Sequence, residues 1–166
     1  MHTLRGLAAV AASAAAAVVL DQGGKTLVRA ELAICSEPPV ALCDRISIVG
    51  PIGVLRTIND NGAFGILDVS VLAVVALGAI ATIGLILRRS GFTPALALAV
   101  GMLAGGSLSN FLDRIAFGTV TDFIDFRWGL ADVGLVLNPA DIGLVVGGIV
   151  FWLSVIDNRP NPRIAP

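Results

Sequence analysis

Four apolar stretches alternate along the chain with polar segments that are marked by proline and glycine. The stretches run from about Leu4 to Leu27, from Val69 to Leu87, from Phe92 to Leu112 and from about Ile142 to Ile156. The second and third match the roughly 20 residues that a helix needs to cross a hydrocarbon core of about 30 Å. The pattern predicts an all-α membrane protein with four transmembrane helices in a single domain over residues 1–166.

The first and last stretches depart from a simple span. The first is interrupted by a polar cluster from Asp21 to Lys25, and its positive start, apolar core and alanines also suit a cleaved signal peptide. The apolar sequence resumes at Thr26-Leu27-Val28, which favours a retained helix that continues past functional polar residues. The last stretch is short unless its first turn begins near Pro139.

The composition supports lipid as the solvent and excludes several functions. Apolar residues make up 56% of the chain and charged residues 14%, and the mean hydropathy is +0.91, values that suit a membrane protein. A net charge of −1 provides no basic field for a nucleic acid. With one histidine, His2, and two cysteines, the chain is not expected to bind a metal, and we predict no cofactor.

The arginines indicate the orientation in the membrane. In a four-span arrangement Arg5, the pair Arg88-Arg89, Arg159 and Arg163 all lie on one side, which the positive-inside rule identifies as the cytoplasm. Both termini are then cytoplasmic, and residues 28–68 and 113–138 face outward. In that outward loop Cys35 and Cys43 either form a disulfide or remain two unpaired thiols.

Small residues recur at four-residue spacing on two of the predicted helices. Gly101, Gly105 and Ser109 repeat on the third span, and Gly143 and Gly147 repeat on the fourth. Such faces allow helix backbones to approach closely. We expect these two helices to pack together or against a common neighbour.

Two carboxylates at the ends of apolar spans are the strongest candidates for chemistry, because ionisable groups near a bilayer are rarely kept without a role. Asp122 lies in an alternating segment, which predicts an extended strand along the membrane surface. Asn138 suits a helix N-cap and Pro139 suits the first helical position, which places Asp141 in the first turn of the last helix. Both acids would lie at the outer interface.

Two neighbouring carboxylates that share one proton can perform acid and base catalysis together. One deprotonates a water molecule while the other polarises or protonates the scissile carbonyl, as in an aspartic protease. The alternative is structural, with Asp141 as a helix-start acid that interacts with the helix dipole and Asp122 as a solvated loop carboxylate.

Four sequence blocks, spread over most of the chain, resemble the lipoprotein signal peptidase family, signal peptidase II. The blocks are Asp21-Gln22-x-x-Lys25; Asn59-Asp60-Asn61-Gly62-Ala63-Phe64-Gly65; Gly105-Gly106-Ser107-Leu108-Ser109-Asn110-Phe111-Leu112-Asp113-Arg114 leading to Val120-Thr121-Asp122-Phe123; and Asn138-Pro139-Ala140-Asp141. They occur in the family's order, and the set is specific although each block alone is weak.

The resemblance implies an aspartyl endopeptidase of the bacterial cytoplasmic membrane that removes the signal peptide of a prolipoprotein. It would cut before a diacylglyceryl-modified cysteine at the outer leaflet, in contact with membrane lipid. Asp122 and Asp141 match the family's catalytic pair. The other matching positions, which line or support the site, are Asn110, Arg114, Asn138, Asn59, Asp21 and Lys25.

Arg114 and the loop between the first two helices have further expected roles. The guanidinium could orient the substrate, or it could pair with the neighbouring Asp113 or reach towards the interface. The segment around Val40 to Arg56 is expected to form a small extracytoplasmic β-type cradle or flap over the substrate.

Two departures from the family pattern affect only substrate contacts. Ser109 replaces a glycine, and the second block leaves either Asn59 or Asn61 as the motif asparagine, with Asn59 favoured by its spacing to Phe64. The alternatives to a peptidase are a small membrane transporter or scaffold and an inactive relative. Acids that lie towards one interface argue against a pathway through the membrane.

Overall fold

The computed structural model describes residues 2–35, 45–60, 93–128 and 133–157. These contain three helices, α1 (His2–Glu31), α2 (Pro94–Phe117) and α3 (Pro139–Asp157), and four strands, β1 (Ile46–Val49), β2 (Ile52–Asn59), β3 (Val120–Trp128) and β4 (Val133–Leu137). The predicted span from Val69 to Leu87 lies outside the described residues.

Two of the described helices are long and apolar enough to cross a membrane, α1 over Leu4–Glu31 and α2 over Pro94–Phe117, and α3 contains a shorter apolar helix. α1 continues without a break through the polar cluster that begins at Asp21, as the resumption of apolar sequence after that cluster predicts. α3 begins at Pro139, which lengthens the predicted last stretch by one turn.

Local signals fix both ends of α2. The Thr93 hydroxyl accepts a hydrogen bond from the Leu96 N–H at 3.2 Å, and Pro94 occupies the first helical turn. The helix ends where Gly118 adopts the left-handed conformation (φ 75°) and its N–H donates to the Arg114 carbonyl. This turn directs the chain from the end of α2 straight into β3.

Close helix contacts place α2 between α1 and α3. A Cβ on Gly105 would lie 2.5 Å from the Ala14 carbonyl oxygen of α1, and a Cβ on Gly147 would lie 3.0 Å from the Ala99 carbonyl oxygen of α2. The small residues on α2 therefore face α1, whereas Gly147 of α3 faces α2. The two predicted small-residue faces both lie at helix contacts, with α2 as the common neighbour.

The four strands form one antiparallel sheet in the order β1-β2-β3-β4. The β1–β2 hairpin occupies part of the segment that the sequence predicts to be a cradle, and β3 is the predicted extended segment. β3 and β4 follow α2 in the chain, so the sheet is larger than the predicted cradle between the first two helices. The all-α class and the number of four helices are not confirmed by the described residues, which combine three helices with this sheet.

The end of α1 is joined to β2. Ile34 forms a parallel bridge with Arg56, and the Cys35 N–H donates to the Arg56 carbonyl at 2.7 Å. The Arg56 guanidinium donates to the carbonyls of Arg29 and Leu32, which lie at the C-terminal end of the helix. Cys35 is disulfide-bonded, and Cys43 lies outside the described residues.

The close approach of α1 and α2 predicts a strong effect of a single methyl group. We expect Gly105→Ala to lower the thermal unfolding temperature in detergent, because the new Cβ would also lie 2.8 Å from Ala17 Cβ. Overpacking of this kind destabilises by about 1–3 kcal/mol. Gly148→Ala on α3 is the matched control, since nothing lies within 4 Å of its Cβ position. Equal unfolding temperatures for the two variants would contradict the packing described here.

Candidate active site

Asp122 and Asp141 approach the same point from different elements. Asp122 lies in β3 and is buried, whereas Asp141 lies in the first turn of α3 and is partly buried. The Asn138 side chain connects them: its Nδ2 donates to Asp122 Oδ1 at 2.6 Å, and its Oδ1 accepts from the Asp141 N–H at 2.8 Å. The two acids therefore share a buried asparagine.

The start of α3 is a capping box. Asn138 caps the Asp141 N–H, as its sequence position predicts, and Asp141 Oδ2 accepts from the Asn138 N–H at 3.3 Å. Pro139 follows the cap and has no N–H to satisfy. The reciprocal bonds fix the Asp141 carboxylate over the helix start.

Asn110, which lies in α2, provides a second side-chain amide next to the acids. Its Nδ2 donates to Asp141 Oδ1 at 2.9 Å, and its Oδ1 accepts from Lys25 Nζ at 2.7 Å and from Asn138 Nδ2 at 3.2 Å. Since the ammonium can only donate, it fixes the orientation of the amide and directs the Asn110 donor towards Asp141.

Asn59 completes the polar contacts of Asp122 from the sheet. It is the last residue of β2, and its Nδ2 donates to Asp122 Oδ2 at 3.2 Å. The neighbouring Thr57 hydroxyl donates to the Asp122 carbonyl at 3.3 Å. Asn61, the alternative motif asparagine, lies outside the described residues.

Burial raises the pKa of Asp122 from an ordinary 3.8 to about 6, and the negative charge of Asp141 contributes in the same direction. The donors on Asn138 and Asn59 act against this shift, as does the more distant Lys25 charge. At neutral pH the group is therefore poised closer to protonation than a surface aspartate, which acid and base catalysis requires.

A charged cluster lies behind the two acids, between α1 and α2. Lys25 Nζ lies 2.6 Å from Asp21 Oδ2 and 3.1 Å from Asp113 Oδ2, and all three side chains are fully buried. Asp21 also accepts from the Ser109 hydroxyl and from the Ala140 N–H, which ties α1 to α2 and to the start of α3. With its bond to Asn110, the ammonium has three acceptors for three hydrogens.

Several members of this cluster were not singled out as site residues by the sequence. Gln22 Nε2 donates to Asp113 Oδ1 and to Ser109, and Arg29 lies 2.8 Å from Asp113 Oδ1. The spacing contains a signal for Arg29, because Asp21, Lys25 and Arg29 are four residues apart and share one helix face. That signal becomes informative only once the run is known to be a helix.

Arg114 is a predicted site residue that does not contact either acid directly. Its Nη1 donates to the Asn110 carbonyl at 3.4 Å. The alternative of a salt bridge to Asp113 is not seen among the described ion pairs, in which Asp113 pairs with Lys25 and Arg29. The Arg114 guanidinium therefore contacts the backbone of Asn110, and the Asn110 side chain donates to Asp141.

The described residues contain no group of three histidine, cysteine, aspartate or glutamate side chains that could hold a metal ion. The donors that converge on the acids are the side-chain amides of three asparagines and the Asn138 backbone N–H, and they orient the carboxylates by hydrogen bonds. Two carboxyl groups held in this way can accept and donate protons.

The fold is shared with solved membrane enzymes. A bacterial membrane enzyme structure determined in meso at 2.3 Å resolution superposes with a TM-score of 0.74 at 21% identity, over 95% of this chain and 93% of the other. A second one, at 1.9 Å resolution, gives a TM-score of 0.69 over 90% and 94% of the two chains. The fold is thus that of a bacterial membrane enzyme.

Sequence comparison defines the family. The model of the signal peptidase II family matches residues 13–157. A lipoprotein signal peptidase of Nitratidesulfovibrio vulgaris is 32% identical over 90% of each chain, and one of Symbiobacterium thermophilum is 36% identical over 86% of this chain and 91% of the relative. This chain belongs to the signal peptidase II family, and the predicted resemblance is confirmed.

The raised pKa of Asp122 predicts a pH-dependent stability. The folded protein holds this proton up to about pH 6, whereas the unfolded chain releases it near pH 3.8. The group therefore adds stability at low pH that is lost as the pH rises from about 4 to about 6. Asp122→Asn does not titrate, so the unfolding temperature of the variant should gain on that of the parent by a few degrees across this window. A difference that stays constant between pH 4 and 7 would contradict the shift.

Proposed function

We propose that this protein is an aspartyl endopeptidase that removes signal peptides from prolipoproteins, with Asp122 and Asp141 as the catalytic pair. Peptidase activity towards signal peptides follows from membership of the family, and the relatives are named lipoprotein signal peptidases. The aspartic mechanism is supported by one observation above all: the buried Asn138 amide connects the two carboxylates.

The chemistry needs one proton between the two acids. A carboxylate accepts a proton from a bound water molecule, and the water oxygen attacks the scissile carbonyl carbon. The protonated partner donates to the carbonyl oxygen, so that the charge of the tetrahedral intermediate is neutralised. On collapse, the carboxyl group that took up the water proton gives it to the leaving amine and the C–N bond breaks, while the partner carboxylate recovers a proton from a hydroxyl of the gem-diol as the new carboxyl group forms. Because the acids interact, they titrate as a pair.

The asparagines hold the pair for this reaction. Asn138 and Asn59 each donate to one oxygen of Asp122, and Asn110 and the Asn138 N–H donate to the two oxygens of Asp141. Each carboxylate is thereby oriented by two donors that carry no formal charge. Such preorganisation reduces the reorganisation that the transition state requires.

The location of the pair suits a lipid-modified substrate. Both acids lie where the apolar helices α2 and α3 meet the sheet, so acyl chains could remain in hydrocarbon while the peptide reaches the carboxylates. Cleavage on the amino side of a diacylglyceryl-cysteine fits this depth. The exposed apolar side chains of β1, at Ile46, Ile48 and Val49, suit a cradle that contacts the substrate or the lipid surface.

The proposed setting is the bacterial cytoplasmic membrane. Four spans within one domain, residues 1–166, would place both termini in the cytoplasm and the pair at the outer leaflet. The apolar helices α1 and α2 support a membrane location, and the disulfide at Cys35 suits an outward-facing loop.

A transporter or scaffold is the alternative from another class. Buried charges could relay protons, but the acids Asp21 and Asp113 are paired with two cations, Lys25 and Arg29, within one cluster. This arrangement serves structure and positioning better than a pathway. An inactive relative is disfavoured because both acids and all of their asparagine donors are present.

Replacement of either acid tests the proposed function. We expect Asp122→Asn and Asp141→Asn to remain folded and to lose at least about 1,000-fold in cleavage of a diacylglyceryl-modified prolipoprotein, since each removes one half of the acid and base pair. The assay uses purified full-length protein in lipid, with product measured by mass spectrometry.

Asp60→Asn is the matched control, because Asp60 is an exposed carboxylate next to Asn59. Its turnover should stay within twofold of the parent. Near-parental turnover of either pair variant would remove that residue from the mechanism, and no turnover by the parent would refute the proposed substrate.

A further inference from the structure

We infer that Arg29, which lies outside the four motif blocks, is a positioning residue that holds β3 so that Asp122 meets Asp141. The inference rests on the proposed function of these two acids. Arg29 lies one turn beyond Lys25 on α1, and its guanidinium reaches the point where the chain passes from α2 into β3.

The guanidinium contacts both of the elements that meet at this point. Its Nε donates to Thr121 Oγ1 of β3 at 2.9 Å, and its Nη2 lies 2.8 Å from Asp113 Oδ1 of α2. The guanidinium carbon also lies 4.2 Å from the centre of the Phe117 ring, at the last residue of α2. Arg29 therefore fixes the position of β3 relative to α2.

Thr121 is held twice by this arrangement. Its hydroxyl accepts from Arg29, and its backbone N–H donates to Asp113 Oδ2 at 3.2 Å, the carboxylate oxygen that does not face the guanidinium. Thr121 is 6% exposed and directly precedes Asp122. A shift of Thr121 would therefore be transmitted to Asp122 through a single peptide unit.

The other side of Asp122 is held by β2, through the Thr57 hydroxyl on its carbonyl and Asn59 on its carboxylate. Arg29 thus supplies the anchor on the helix side and β2 supplies the anchor on the sheet side. A displacement of about 1 Å in a catalytic group can reduce the rate by about 100-fold. The expected consequence of a loosened helix-side anchor is a lower kcat with little change in KM.

Lysine cannot reproduce this geometry. A guanidinium donates in two directions within one plane, whereas an ammonium is a compact charge at the end of a flexible chain. Arg29→Lys retains the attraction to Asp113 and loses the bond to Thr121. Thr121→Val removes the same bond from the other end and retains a β-branched residue that suits a strand.

The test is a double-mutant cycle on prolipoprotein cleavage with full-length protein in lipid. We expect Arg29→Lys and Thr121→Val each to lower kcat by about tenfold with KM within twofold of the parent, and the double variant to be no worse than either single one. Losses that multiply to about 100-fold, losses that appear in KM alone, or near-parental kcat in both single variants would overturn the inference.

Arg127→Lys is the matched control. Arg127 lies on the same strand, is similarly buried, and pairs with Asp125 at 2.8 Å. Its kcat should stay within twofold of the parent. A tenfold loss there would show that any ion pair of β3 has the same effect, which would contradict a specific role of Arg29.

Hydrogen exchange separates the inference from the proposed function. Amides of residues 120–124 should exchange at least about tenfold faster in Arg29→Lys than in the parent, and unchanged exchange there would overturn the inference. This readout requires no turnover. Failure of the parent to cleave would refute the proposed substrate, while the exchange result would still decide whether Arg29 holds the strand.

Discussion

The bond between the Asn138 amide and the Asp122 carboxylate is the interaction on which the rest of the site depends. Asn138 is fully buried and begins α3, so this bond attaches a strand to the first turn of a helix. The Asn138 amide oxygen accepts a hydrogen bond from the Asp141 N–H and so caps the helix. One side chain therefore links the start of the helix, the strand and the two acids. A buried amide needs hydrogen-bond partners for both its NH2 group and its oxygen. A movement of the strand or of the helix start would therefore leave part of the Asn138 amide without a partner.

Four charged side chains lie behind the acids, three of them fully buried, and their charges compensate one another. Asp21, Lys25, Asp113 and Arg29 comprise two anions and two cations, linked by contacts between 2.6 and 3.1 Å. Removing one partner of a buried pair leaves an uncompensated charge, which costs about 3–5 kcal/mol. The cluster also joins α1 to α2, alongside the close approach at Gly105. The close packing of α1 against α2 therefore also brings the charged side chains of the two helices into contact.

The local features of the site could be predicted from the sequence because they depend on residues that are close together in the chain. The cap at Asn138 and Pro139, the extended segment around Asp122 and the small-residue faces all follow from spacing over a few residues. The sheet could not be predicted in the same way, because β2 and β3 pair across more than sixty residues and a β pairing of that separation has no local signature. Arg29 was missed for the same reason, since its partners Asp113 and Thr121 are distant in sequence.

The side chains that donate to the two acids are asparagines, and Lys25 contacts one of these asparagines, Asn110. This arrangement suits two acids that share one proton. A lysine or arginine in direct contact with the pair would favour the ionised form of both carboxylates and remove the acid. Amides donate hydrogen bonds without a full charge, so they orient each carboxylate while burial still raises the pKa of Asp122. Lys25 acts through Asn110, whose orientation it fixes by a bond of 2.7 Å. Lys25 therefore orients a donor of the proposed catalytic pair, and the Asn110 amide lies between the ammonium and Asp141.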